Sequence, residues 1–115
     1  MVRVDAALPS PRIVNGIIMW YEGDSFEISL KLSLKDADGN DHMLSAGDRA
    51  FVEIKNDKMK TVKEFVFSNV NENILPMTFD RETSAMFPVG KYFYDVRLEG
   101  AYNTTVAKNN RIKVE

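Results

Sequence analysis

The first candidate for chemistry is the acidic stretch from Asp36 to Asp41, which reads DADGND. A helix-flanked calcium loop needs oxygen ligands at positions 1, 3 and 5, a glycine at position 6 and a glutamate at position 12. Counted from Asp36, position 6 is Asp41 and position 12 is Gly47, so two required positions fail. The pair Asp38-Gly39 is instead typical of a hairpin, because tight turns need the left-handed backbone that glycine adopts readily. The stretch therefore predicts a turn between two strands and no metal site.

Nucleophilic and metal chemistry has few side chains to draw on. His42 is the single histidine, and the chain has no cysteine, which excludes disulfides, thiolate nucleophiles and cysteine-ligated zinc. No serine lies in the strained strand-to-helix turn that a hydrolase nucleophile occupies. Carboxylate neighbours such as Glu22 with Asp24, or Asp80 with Glu82, are expected by chance among 17 acidic residues in a chain of 115. The sequence predicts no catalytic residue, no cofactor and no enzymatic activity.

Charge and hydropathy limit the partners. The chain carries 15 Lys and Arg against 17 Asp and Glu, a formal charge of −2, which argues against binding to nucleic acid or to an anionic membrane. No apolar run approaches the ~18 residues of a membrane span, and residues 1–12 lack the apolar core of a signal peptide. Together with the absence of cysteine, this favours a reducing compartment.

The elements that must position any site are predicted to be strands. Between Phe26 and Leu34 every second residue is apolar and the intervening residues are polar, which indicates a strand with one buried face. Weaker alternation recurs in five later segments: 49–55, 61–67, 74–80, 92–100 and 104–115. Turn-forming residues separate them, and the only helical turn expected, within 80–86, is ended by Pro88 and Gly90. The pattern predicts an all-β domain over residues 13–115, preceded by an extended N-terminal arm over residues 1–12.

One segment near the start is apolar on both faces. In a strand, Ile17, Met19 and Tyr21 share one face, whereas Ile18 and Trp20 share the other. Such a strand is either covered on both sides within the monomer or presents one side to a neighbouring chain. The candidate interface is therefore Ile18, Met19, Trp20 and Tyr21. On the interface hypothesis, Trp20→Ala reduces self-association more than folding.

The segment PVGKYFYDVRL, residues 88–98, predicts a structural corner formed by Gly90, Tyr92 and Tyr94. In immunoglobulin-like sandwiches a tyrosine at the start of the penultimate strand bonds back to the backbone of the preceding corner, and Tyr92 is placed to do so. Three side chains are expected to point into the core: Tyr94, Val96 and Leu98. Three are expected to face water: Asp95, Arg97 and Glu99.

Three segments in this order, EGDSFEISLKLSLKDADGN, LSAGDRAFVEIK and PVGKYFYDVRLEG, resemble the immunoglobulin-like domains of tailed-phage and prophage structural proteins. The resemblance is to the N-terminal domain of baseplate upper proteins in particular, and it covers residues 22–115. It implies an immunoglobulin-like β-sandwich of about seven antiparallel strands. It also implies a non-enzymatic part of a virion that folds in the bacterial cytoplasm and docks to copies of itself or to other virion proteins.

The alternative is a carbohydrate- or surface-binding module of a bacterial extracellular protein. In that case Trp20, Tyr21 or Tyr102 would provide the aromatic platform on which a sugar stacks. Neighbouring genes for tail or capsid proteins would favour the virion, whereas a signal peptide upstream of Met1 would favour the extracellular module.

Overall fold

The computed structural model describes residues 2–5, 11–68, 70, 72–100 and 103–115. Across these residues the chain forms nine strands and one short helix, so the all-β prediction is confirmed, with more strands than the seven or so expected. In chain order the elements are β1 (Val2–Asp5), β2 (Arg12–Val14), β3 (Ile17–Trp20), β4 (Phe26–Leu32), β5 (Arg49–Asn56), β6 (Thr61–Ser68), β7 (Ile74–Phe79), α1 (Arg81–Ser84), β8 (Gly90–Glu99) and β9 (Thr104–Val114).

The strands form two sheets. The smaller sheet has the order β1-β4-β7, and the larger has the order β2-β3-β9-β8-β5-β6. Neighbouring strands are antiparallel except β3 and β9, which run parallel. Strand β6 is last in this order and has β5 as its only neighbour among the strands described, so it forms one edge of the larger sheet.

The two sheets share one core, which the alternation along each strand builds. In β4, Phe26, Ile28, Leu30 and Leu32 are all buried, whereas the intervening Glu27 and Lys31 are exposed. Aromatic rings join the sheets at one end of this core. The ring of Trp20 in β3 lies 5.0 Å from that of Phe26 in β4 and 5.1 Å from that of Phe79 in β7, between centroids.

The short helix α1 begins at a carboxylate cap. Asp80 Oδ1 accepts a hydrogen bond of 2.8 Å from the backbone N–H of Thr83, which satisfies one of the free donors at the helix start. Hydrogen bonding from Thr83 holds the pKa of Asp80 below its ordinary value. The helix covers 81–84, inside the segment where the sequence predicts a helical turn.

Tyr92 lies at the start of β8 and makes the bond that the sequence predicts. Its hydroxyl donates to the backbone oxygen of Pro88 at 2.6 Å, closing the corner between α1 and β8. Burial, together with the nearby charges of Asp57 and Glu22, raises the pKa of Tyr92. Tyr94 points into the core, as expected, and burial likewise raises the pKa of its phenol.

The N-terminal segment differs from the predicted arm. Residues 2–5 are extended, but they form β1 and pair with β4, with Val4 opposite Leu30. Val2 and Val4 pack against the core, which gives this strand an apolar reason to stay on the sheet. The rest of the predicted arm up to residue 10 lies outside the described residues.

Candidate functional site

The sheet places the residues of the predicted interface on two opposite faces. These residues are Ile18, Met19, Trp20 and Tyr21. Ile18 and Trp20 are 1% and 2% exposed and belong to the core, so they are not available to a partner chain. Met19 is half-buried on the other face, and only Tyr21 is well exposed, at 48%. Of the two hypotheses for this segment, burial within the monomer holds for the face that carries Ile18 and Trp20.

Of the two aromatic platforms for a carbohydrate that lie in the described residues, Tyr21 is on the surface and Trp20 is not. Trp20 is enclosed by Phe26, Phe79 and Phe87 and cannot stack on a sugar. Tyr102 lies outside the described residues. Tyr21 is exposed, with the guanidinium of Arg12 5.7 Å from its ring centroid.

The DADGND stretch forms a turn, as predicted, but not between two strands: β4 ends at Leu32, β5 begins at Arg49, and a single bridge between Lys35 and Asp41 joins the two sides of the turn. Asp36 Oδ1 accepts hydrogen bonds of 2.9 Å from the backbone N–H groups of Asp38 and Asn40. Gly39 has φ +83°, the left-handed conformation expected for it. Lys35 pairs with Asp41 across the base of the turn, and this contact lowers the pKa of Asp41. Within the described residues, no group of three or more histidine, cysteine or acidic side chains is placed to hold a metal ion.

A pocket of about 290 Å³ lies beside this turn, between Leu34, His42 and Leu98. Its charged wall residues serve contacts within the chain, because Glu99 pairs with Arg49 and Arg97 at 3.5 and 3.3 Å. Buried Asn73, just before β7, fixes the loop that carries His42: it donates to His42 O and accepts from the N–H of Leu44, both at 2.8 Å. These groups shape the loop.

The outer face of the larger sheet holds a partly buried ion pair that no pattern in the sequence indicates. Lys55 Nζ lies 2.8 Å from Asp95 Oδ2 and donates to Asn109 Oδ1 at 3.0 Å. Asp95 lies on the outer face, as expected, but its side chain is only 18% exposed because the ion pair covers most of it. Its other carboxylate oxygen accepts from the N–H of Asn109, which lies at an irregularity in the pairing of β9 with β8 and has φ +55°.

These contacts decide the charge of Asp95. Burial alone would raise its pKa, but the hydrogen bonds from Lys55 and from the Asn109 N–H, with the positive charge of Lys55, bring the pKa below its ordinary value. Asp95 therefore stays ionised and fixes the extra residue of β9 in place. Arg97 faces water, as expected, while Glu99 is half-buried between its two arginines.

The free side of β6 is the second feature of this sheet, and it is called the open edge here. The strand runs for eight residues, Thr61–Ser68, and pairs with β5 alone among the strands described. The other edges are less able to accept a strand, since β2 has three residues, β1 has four, and β7 carries Pro76 in its middle. Proline cannot donate to a ladder, and short strands offer few bonds.

Side chains on both faces of β6 are incompletely covered. On the inner face Phe65 and Phe67 are half-buried, with rings stacked at 6.4 Å between centroids. On the outer face Val66 is 53% exposed, between the exposed Glu64 and Ser68. A partly uncovered apolar margin beside unpaired backbone groups is a surface suited to another strand.

Comparisons with protein-family models, with curated proteins and with solved structures found no match to this chain. In the part of the chain that the structure describes, no helix is long and apolar enough to cross a membrane.

Proposed function

We propose that this chain is an immunoglobulin-like β-sandwich. The strand order supports this proposal, because β9-β8-β5-β6 is the order in which the last, penultimate and middle strands of that fold lie side by side. The smaller sheet, in which β4 lies between β1 and β7, agrees as well. The bond from Tyr92 to Pro88 has the geometry of the tyrosine corner of such domains.

We further propose that the domain is a non-enzymatic structural and assembly module of a tailed-phage or prophage virion, associated with its tail, baseplate or fibres. On this proposal it folds in the bacterial cytoplasm and then enters the particle through contacts with copies of itself or other virion proteins. The resemblance of residues 22–115 to phage immunoglobulin-like domains supports the virion context. The open edge supports a role carried by protein–protein contacts.

The single observation that carries the proposal is the open edge of β6. A strand added there would gain main-chain hydrogen bonds to β6, and its side chains would meet Phe65 and Phe67 on one face and Val66 on the other. Eight residues give a ladder long enough for stable pairing, whereas the two shortest edges give half of that or less. An edge this accessible is a hazard in a solitary protein and an advantage in one that assembles.

Site-specific cross-linking in particle-producing cells tests this role. A photo-reactive amino acid replaces Val66 on the open edge in one variant and Val89 in the other. Both valines are well exposed, at 53% and 63%, but Val89 lies in the loop before β8. The proposal predicts that purified particles contain the chain, cross-linked to itself or to a virion protein through position 66 and not through position 89. Particles that lack the chain, or that carry adducts at both positions equally, would contradict it.

A further inference from the structure

We infer that the open edge binds a second copy of this chain, β6 against β6 antiparallel about a two-fold axis, with Phe65 opposite its own counterpart. This inference rests on the proposed role of β6 in assembly and adds the identity and register of the partner. The result would be one sheet continuous across two protomers.

The first argument is the burial of the inner face, which declines abruptly at β6. Three inward residues of β5, namely Ala50, Val52 and Ile54, are all 0% exposed. Their direct neighbours on β6 are Phe67, Phe65 and Lys63 in the same order, and each of these is only half-buried. The smaller sheet reaches Phe65 through Phe79, with 5.3 Å between ring centroids. A second β6 beside the first would cover the two phenylalanines of each copy.

The second argument is the register that symmetry allows. A two-fold axis perpendicular to the sheet places outer face beside outer face, so each residue must oppose one from the same face. In two of these registers the two copies of β6 pair along most of their length. One register is centred on Glu64 and the other on Phe65. Centring on Glu64 sets two like charges directly opposite each other, which is destabilising.

The register centred on Phe65 avoids this repulsion and places a cation opposite an aromatic ring. It opposes Phe65 to Phe65, Lys63 to Phe67, and Glu64 to Val66, with no like-charged pair. Lys63 is already suited to an aromatic neighbour, because its ammonium lies 5.4 Å from the centroid of the Phe65 ring within the monomer. Glu64 also lies directly opposite Glu53 on β5, so the outer face at this point favours a neutral or basic residue from the partner and disfavours an acidic one.

A charge series at the exposed outer positions tests both the partner and the register. Val66→Glu would oppose Glu64 of the second copy twice in each dimer, and we expect the dimer dissociation constant from sedimentation equilibrium to rise by about tenfold. Val66→Lys would oppose the same glutamate with a cation, and dimerisation should be unchanged or tighter. The double variant Glu64→Lys with Val66→Glu restores opposite charges across the axis and should restore the dimer. Thermal melts of each variant at a dilution where it is monomeric check that the fold is kept.

The outcomes separate this inference from the proposed function. A wild-type dimer whose variants follow the order expected from the charges supports the β6 pairing. A wild-type chain that stays monomeric at all concentrations, or variants that do not follow that order, overturns it. If the cross-link at position 66 then still reaches another virion protein, the assembly role stands and only the identity of the partner fails. If that cross-link is absent too, both proposals fail.

Discussion

Replacing Trp20 by alanine is expected to lower the free energy of unfolding by about 3–5 kcal/mol, the range for removing a large aromatic side chain from a core. The indole is 2% exposed and extends from a strand of the larger sheet onto Phe26 and Phe79 of the smaller sheet, so the cavity would lie between layers that cannot close over it easily. Chemical denaturation measures the loss. The interface hypothesis expects Trp20→Ala to weaken self-association more than it lowers the stability of the fold. Because Trp20 is buried, we expect the opposite.

Tyr21 provides the matched control for Trp20. It is the adjacent aromatic residue, but 48% of it is exposed and it lies outside the core. Tyr21→Ala is therefore expected to change the free energy of unfolding by less than about 1 kcal/mol. Equal losses for the two variants would mean that Trp20 does not join the sheets as described. If Trp20→Ala fails to fold, Trp20→Phe, which leaves a smaller cavity, provides the comparison.

Replacing Asp95 by alanine is expected to cost about 2–3 kcal/mol, somewhat less than the 3–5 kcal/mol for breaking a fully buried ion pair, because both partners keep some contact with water. The variant leaves the ammonium of Lys55, whose side chain is 11% exposed, without its carboxylate. It also removes the acceptor for the N–H of Asn109. Lys113→Ala, which breaks an exposed pair with Glu115, is the control and should cost less than about 0.5 kcal/mol.

The contribution of the Asp95 charge also depends on pH. The pKa of Asp95 is lowered in the folded state, so its stabilising effect is complete above the pKa of the unfolded chain. It disappears as the pH falls through the lower pKa of the folded state. The difference in stability between the wild type and Asp95→Asn should therefore be large at neutral pH and vanish in strong acid. A difference that grows on acidification would contradict this account of the pair.

Local features were predictable from the sequence because neighbouring residues determine them. The alternation from Phe26 predicts a strand with the correct buried face, and Asp38-Gly39 predicts the turn found there. Tyr92 follows the same logic, since its partner Pro88 lies four residues away. In each case the interaction lies within a few residues along the chain.

Long-range pairing explains what the sequence did not reveal. Ile17–Trp20 is apolar on both sides, and only the parallel pairing with β9 determines that Trp20 faces the core. The partner of Asp95 is 40 residues away, so its burial has no local signal. The sequence of β6 predicts a strand but not its position in a sheet, and its place at an edge follows only from the strand order. Pro76 was a usable clue, because a proline in mid-strand indicates an edge at β7.

The central claim is that the open edge binds another strand on assembly. Hydrogen exchange of the backbone amides of β6 tests this claim most directly. The chain at high dilution is compared with the chain in the assembly isolated by sedimentation. Because β6 pairs on one side only, the amides that face away from β5 should exchange quickly in the dilute chain and become protected in the assembly. The amides of β7, whose free edge carries Pro76, should keep their rates. Unchanged exchange along Thr61–Ser68, with new protection elsewhere, would contradict the account.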